Sequence, residues 1–408
     1  MVKQMLDAET LKNDFPLLSK QMNGKPIIYL DSACMALKPT QVIDSINEYY
    51  TNYSGCAGRS PHKIGDMVTQ KVYESRTKIR EFINAKKPEE IVFTKNTTEA
   101  INLISRSLKF DKQDTVLTSD REHNSNLVPW LLLEKNTGIK HEVVESNADM
   151  TFNIDSLKQK LETGNVKLVS MVHTSNLDGY TTPASEIIKA AHDHGAFVLL
   201  DAAQSAAHAP MDVQKLDVDF MAFSGHKMCG PTGTGVLYGK KKLLEDLDPF
   251  LVGGETVSIT HYDKFELRGL PDKFEAGLQN YAGILGLGSA CDYLQNVGLD
   301  KIHKHELGLN KMITDALSEI DIRPIGPQDP ELRGGVFSFV PNKLDAASLA
   351  VLLDESANVM VRSGAHCMHS WFNARGLDDS VRASMYLYNT EEDIEVFVDT
   401  MKSTYGTL

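Results

Sequence analysis

Phe223-Ser224-Gly225-His226-Lys227-Met228-Cys229-Gly230 sets one lysine between a short apolar run and a glycine-rich turn. Before it, Asp219-Phe220-Met221-Ala222-Phe223 reads as the end of a buried strand. After it, Gly230-Pro231-Thr232-Gly233-Thr234-Gly235 leads into a second strand, Val236-Leu237-Tyr238. A lysine held between two such strands is partly desolvated, which favours the neutral amine needed to attack a carbonyl carbon. Ser224 and His226 flank it with polar groups suited to an anionic phosphate. Alone, this window is also that of an ordinary surface lysine after a strand. Asp201, upstream at the end of another strand, is what gives the lysine chemical company.

From residue 90 the pattern alternates strand and helix. Strands are expected at 91–94, 115–118, 142–144, 167–173 and 196–200, with helices near 98–108, 124–136, 153–162 and 184–194. This alternation predicts an α/β fold: a mostly parallel, seven-stranded sheet with helices on both faces, binding its ligand beyond the carboxyl ends of the strands. Beyond about 280 the order changes. Helical runs at 281–295 and 300–319 precede strands at 335–339, 359–361 and 381–386 and helices at 345–355 and 391–403, the pattern of a smaller α+β domain. The expected division is an N-terminal segment, 1–25, packing near the small domain, a large domain at 26–285 and the small domain at 286–408. The glycine-rich polar loop Gly55-Cys56-Ala57-Gly58-Arg59-Ser60 suits either a segment closing over a site or an ordinary turn.

The 408 residues, 42% hydrophobic and 24% charged, are those of a soluble globular chain large enough for two domains. A net charge of -13 without a basic block argues against nucleic acid as a partner. No stretch reaches membrane-spanning length and the N-terminus has no leader pattern, so a cytoplasmic protein without a membrane partner is expected. The five cysteines, Cys34, Cys56, Cys229, Cys291 and Cys367, are odd in number and scattered, which supports neither a disulfide framework nor a structural metal site.

Several strand ends carry polar residues. Asp201 follows Val198-Leu199-Leu200, where it can pair with a protonated pyridine nitrogen or simply cap a helix. Asn96-Thr97-Thr98-Glu99 opens a helix after strand 91–94, so Thr97 or Thr98 can cap it while free N–H groups face an anion. His123 lies beyond strand 115–118, and its ring can stack on an aromatic cofactor or serve structure alone. His173, Asn176 and Asp178 follow strand 167–173. Cys367, in Arg362-Ser363-Gly364-Ala365-His366-Cys367, sits near an arginine and a histidine that favour thiolate; a small buried apolar cysteine is the ordinary alternative.

These pieces together resemble the pyridoxal-phosphate enzymes of fold type I, within the class V aminotransferase group, and most closely the SUF-type cysteine desulfurases. The matching stretches are Thr97 to Asn102, Glu122-His123, His173 to Asn176, Asp201 to Gln204, Ser224 to Lys227, Phe274 to Gly277, Arg362 to Cys367 and Val381 to Ser384, in family order over nearly the whole chain. The resemblance implies a pyridoxal 5'-phosphate cofactor held covalently by Lys227, with Asp201 at the ring nitrogen and Gln204 at the phenolic oxygen. It implies His123 stacked on the ring and active in proton transfer, Thr97, Thr98, Ser224 and His226 around the phosphate, and Asn176 near cofactor and substrate. Arg382 then receives the substrate carboxylate, and Cys367 takes the sulfur of L-cysteine as a persulfide, releasing alanine. A homodimer and a sulfur-acceptor or scaffold protein are the implied partners. Selenocysteine cleavage, amino transfer and epimerisation remain alternatives within the same group.

The chain also departs from the family. Leu278 stands where a threonine from the neighbouring subunit commonly touches the phosphate. Ala365 replaces the first histidine of a His-His-Cys run, and Met368-His369-Ser370-Trp371-Phe372 follows the cysteine. Trp371 and Phe372 are expected either to shape a lid or acceptor surface or to pack the loop. Cys56 is expected to be an inert loop thiol, with a sulfur relay or an interfacial metal cluster as the alternatives.

Overall fold

The structure, a computed structural model, describes residues 6–406. Its largest sheet has seven strands in the spatial order Ile91–Thr94, Gly235–Gly239, Phe220–Ser224, Phe197–Asp201, Val166–Val172, Thr115–Ser119 and Lys140–Val144. Neighbouring strands run parallel from Phe220–Ser224 to Lys140–Val144. Gly235–Gly239 is antiparallel to both of its neighbours. Fully buried residues such as Val169, Met171, Val198 and Leu200 face one side of the sheet, Leu168 and Leu199 the other, and helices cover both. This explains why the central strands read as continuous apolar runs without alternation.

Helix ends are set locally. Asn96, Asn153, Asp345 and Asn280 each cap a helix by accepting the backbone N–H three residues on. At the helix Thr97–Ser107 the cap is therefore Asn96, not Thr97 or Thr98. Glu99 reaches back to the Lys95 amide, and Thr97 is released to the site.

A second sheet is antiparallel throughout, in the order Ile322–Ile325, Val336–Pro341, Ser380–Ser384 and Arg362–Gly364. It packs with helices Leu299–Ala316, Ala346–Ala357 and Glu391–Gly406 around a core containing Phe337, Phe339, Leu349 and Phe397. Ile28 and Leu30 belong to that same core, because Ile28–Tyr29 pairs in parallel with Val359–Met360. Asp31 leaves this pairing through a single bridge to Ser384, which carries the chain from the small sheet toward the ends of the large one.

Helix Lys63–Phe82 is bound to the large sheet by a buried ion pair. Arg76 Nη1 and Nη2 donate to the two Glu275 carboxylate oxygens at 2.7 and 2.8 Å, and Glu275 also accepts the Phe93 amide at 2.8 Å. Arg76 donates further to the Ile91 carbonyl, 2.6 Å away. Glu275→Ala leaves that guanidinium buried and unpaired, so it should cost about 3–5 kcal/mol of stability. Denaturant titration with an unchanged m-value checks it, and a loss under about 1 kcal/mol would show that the pair does not anchor the helix.

Candidate active site

One cavity of about 210 Å³ lies where the two sheets meet, and its wall contains Thr97, Thr98, His123, Asn176, Asp201, Gln204, Ser224, His226, Lys227, Cys367 and Arg382. The structure thus brings together every residue to which the resemblance gave a cofactor, substrate or sulfur role. Asp201 ends the strand Phe197–Asp201, Ser224 ends Phe220–Ser224, and Lys227 closes the short 3-10 turn Gly225–Lys227. These are carboxyl ends of adjacent strands, which face one crevice in an open α/β sheet.

At one end of the cavity are anion donors. Ser224 Oγ accepts the Thr97 amide at 2.9 Å and lies 2.7 Å from Thr97 Oγ1 at the N-terminus of the helix Thr97–Ser107. Thr98 Oγ1 is 2.7 Å from Ser125 Oγ. Elsewhere in the wall, the buried Asp201 accepts the Ala203 amide at 2.9 Å, and burial raises its pKa. Burial lowers the pKa of Lys227, although the nearby Asp201 carboxylate acts the other way. Both shifts have the same origin: an enclosed site penalises each charged form.

His123 accepts the Ser125 amide on Nδ1 at 3.0 Å. Burial, helped by Lys227 and Arg382, pushes its pKa down to about 3, so the ring is neutral and carries its proton on Nε2. His226 is likewise held neutral, its pKa pushed down to about 4 by burial. Gln204 Nε2 donates to the Ala33 carbonyl at 2.8 Å, leaving Oε1 buried without a partner.

Cys367 lies on a constrained loop. His366 and Cys367 both have left-handed backbones, with φ of 49° and 61°, a costly conformation for residues with a side chain. Contacts from separate elements hold it there, among them His366 Nε2 at 3.0 Å from Ser380 Oγ. The Asn176 amide donates to the His366 carbonyl at 2.9 Å, and the Asn124 backbone N–H donates to the Cys367 carbonyl at 2.8 Å. Asn176 is therefore a clamp on this loop. Its own carbonyl accepts Arg382 Nη1 at 3.0 Å.

Two cavity residues, Cys34 and Arg362, and Asp31 behind the wall were absent from the sequence-based set or not given a place in it. Asp31 accepts Arg382 Nη2 at 3.0 Å, and Arg362 Nη1 donates to Cys34 Sγ at 2.7 Å. Cys34 and Arg362 line the cavity. The available signal was Asp31-Ser32-Ala33-Cys34 directly after a short strand, but nothing local shows that this strand pairs with Val359–Met360.

Other expectations take a structural role or lie elsewhere. Asp178 forms a buried ion pair with Arg121 at 3.0 Å. Trp371 and Phe372 pack in a buried cluster with Leu177, Ile325 and Met368, so they form neither lid nor surface. His369 is exposed, 2.9 Å from Asn124 Nδ2. The loop containing Cys56 does not line the cavity. Leu278 is 68% exposed and belongs to a separate groove with Phe250 and Leu251.

An open α/β sheet whose strand ends gather a deprotonatable lysine, a buried aspartate, anion donors and an arginine defines a lysine-based enzyme acting on a carboxylate-bearing substrate. The chain belongs to the class-V aminotransferase family, whose model matches residues 28–397. It is 40% identical over 405 residues to a probable cysteine desulfurase of Synechocystis sp., covering 97% of this chain and 95% of that one. A cysteine desulfurase of Haloferax volcanii is 36% identical, with coverage of 97% and 96%. Among solved structures, the apo cysteine desulfurase of Thermococcus onnurineus superposes with a TM-score of 0.94 at 36% identity over 100% of both chains. Cysteine desulfurase CsdA of Escherichia coli, in its S-sulfonic acid form, gives 0.91 at 32% identity over 99% and 100%.

The cofactor of this family is pyridoxal 5'-phosphate, and the cavity fits it. A buried aspartate whose hydrogen-bond donor is one backbone amide suits a protonated ring nitrogen, the unpartnered Gln204 Oε1 marks a polar place in the wall, and the helix N-terminus with Ser224 suits a phosphate.

Next to the site, His173 has a buried, unpartnered Nδ1, and burial pushes its pKa down to about 4. A histidine depressed on folding takes up a proton on unfolding, so its contribution is present above the unfolded pKa and lost as pH falls toward the folded one. Between pH 7 and pH 5 this group should cost about 2 kcal/mol. His173→Gln should shrink the fall in stability over that interval by about this amount, measured by denaturant unfolding at both pH values. An unchanged fall would mean that the ring protonates in the folded protein.

Proposed function

We propose that the chain is a pyridoxal-phosphate-dependent cysteine desulfurase, converting L-cysteine to L-alanine and leaving the sulfur on Cys367 as a persulfide. The observation that carries this reading is that Lys227, Arg382 and Cys367 open onto one cavity. Lys227 would hold the cofactor, Asp201 its ring nitrogen and Gln204 its phenolic oxygen. Ser224, Thr97, Thr98 and His226 would hold its phosphate, with His123 against the ring. Bound there, the cofactor supplies an electron sink for negative charge developing on the substrate.

Lys227, its neutral form favoured by burial, accepts the substrate α-proton and returns it. Arg382 holds the substrate carboxylate; its Nε is buried and still without an acceptor. Asn176 acts by holding the Cys367 loop, which supports a positioning role beside the expected contact with cofactor and substrate. Cys367 thiolate attacks the substrate sulfur as the carbon–sulfur bond breaks. Amino transfer and epimerisation give no role to a thiol there, whereas selenocysteine cleavage remains the nearest alternative.

A homodimer fits the exposed apolar residues Phe250 and Leu251, which share a groove with Leu278. In that reading Leu278 meets the second copy and gives no hydrogen bond to the phosphate, leaving that task to the helix N-terminus and Ser224. Sulfur then passes to an acceptor protein or small thiol in the cytoplasm; the described helices include none long and apolar enough to cross a membrane.

Incubating purified holoenzyme with L-cysteine should give alanine and persulfide sulfur that maps to Cys367. Alanine without any sulfur on the protein would overturn the reading. Cys367→Ala should keep the cofactor yet form no persulfide, and Lys227→Ala should lose the absorbance of lysine-bound cofactor. Arg382→Gln should raise KM for cysteine roughly 10- to 100-fold, the loss of a charged hydrogen bond. An unchanged KM would remove Arg382 from the carboxylate site.

A further inference from the structure

Cys367 is not the only thiol in the cavity wall; Cys34 is there as well. Both thiols line the cavity wall that also contains Lys227. Cys34 also has a cationic partner. Arg362 and Arg382 are directly opposed in the antiparallel pair Arg362–Gly364 with Ser380–Ser384, a juxtaposition of like charges that needs counter-charge. One turn supplies both partners. Asp31 accepts from Arg382 at 3.0 Å, and Cys34 Sγ takes the corresponding place on Arg362 at 2.7 Å. The turn is closed by the Cys34 amide donating to the Asp31 carbonyl at 3.0 Å. A sulfur thus occupies, on one arginine, the seat that a carboxylate occupies on the other. The adjoining Arg382 Nε is buried, unpartnered and part of a cavity-lining side chain, a second mark of an anion site.

We propose that Cys34 is a second sulfur-receiving thiol inside the cavity, taking the terminal sulfur of the Cys367 persulfide onto an Arg362-held Sγ. The inference rests on the desulfurase reading, which puts that sulfur on Cys367. Cys34 thiolate attacks the outer sulfur, a new S–S bond forms at Cys34, and the bond to Cys367 Sγ breaks. The bonding electrons leave with Cys367 as thiolate. The transferred sulfur keeps its oxidation state, so the step needs no oxidant or reductant, and the proton lost by Cys34 goes to a neutral cavity base or to water. The outer sulfur of a persulfide stands about 2 Å beyond Cys367 Sγ, which shortens the crossing. Cys367 is then free for a second turnover while the first sulfur remains enclosed.

The test uses the holoenzyme with L-cysteine and no acceptor or reductant, followed by alkylation, non-reducing digestion and mapping of sulfane sulfur. The expected result is two sulfurs per chain, one on Cys34 and one on Cys367, with an alanine burst of two equivalents, about double that of a single-thiol enzyme. Cys367→Ala should leave Cys34 without sulfur, since Cys34 is loaded only through Cys367. Sulfur on Cys367 with none on Cys34 would overturn the proposal and leave the desulfurase reading standing. Equal labelling of Cys34 and Cys56, which lies outside the cavity, would mean loading from solution and would also overturn it. So would sulfur on Cys34 in Cys367→Ala. No alanine and no sulfur on either thiol would overturn the desulfurase reading and this inference with it.

Discussion

The active-site geometry depends on one buried guanidinium. Arg382, 2% exposed, donates to the Asn176 carbonyl and the Asp31 carboxylate, each at 3.0 Å. Those partners come from the end of a large-sheet strand and from the chain leaving the small-sheet edge, so one side chain closes two sheets on each other. A cation so enclosed is costly unless paired, and the structure satisfies its two terminal nitrogens with groups drawn from separate parts of the fold. The cavity is the space left around that junction. Its best-placed ligand is an anion that can take the remaining Nε.

Enclosure also sets the proton inventory. Burial lowers the Lys227 pKa, pushes those of His123 and His226 down to about 3 and about 4, and raises that of Asp201. The same desolvation therefore favours the neutral form of the lysine and keeps both imidazoles neutral. It also leaves a carboxyl group that awaits a cation, and a protonated ring nitrogen is such a cation. The strained Cys367 loop is held in this environment by Asn124 and Asn176, so the thiol's position is tied to two connections that follow strands of the large sheet.

Much of this was legible in the residues. Apolar runs that end in Asp201 and Ser224, or shortly before Asn176, identify strand termini, and the alternation with helices makes the sheet parallel, which brings those termini to one edge. Lys227 could be picked out because glycines and polar residues surround it. Trp371 and Phe372 were ambiguous, because two aromatics beside a loop read alike whether they cover a ligand or fill a core. The structure buries them. The capping residue before Ser107's helix was misread by one position, since Asn96 and both threonines are all competent caps and only backbone geometry selects among them.

The sequence by itself determined the layered α/β class, the family, and the placing of Lys227 and Asp201 just beyond buried strands, because periodicity and motif order are local or linear properties. It did not reveal that Asp31 and Cys34 face Arg382 and Arg362. Those contacts span more than three hundred residues and exist only once Ile28–Tyr29 has paired with Val359–Met360. A pairing of that kind depends on which edges remain free after both sheets have formed, and no short window of residues carries that information.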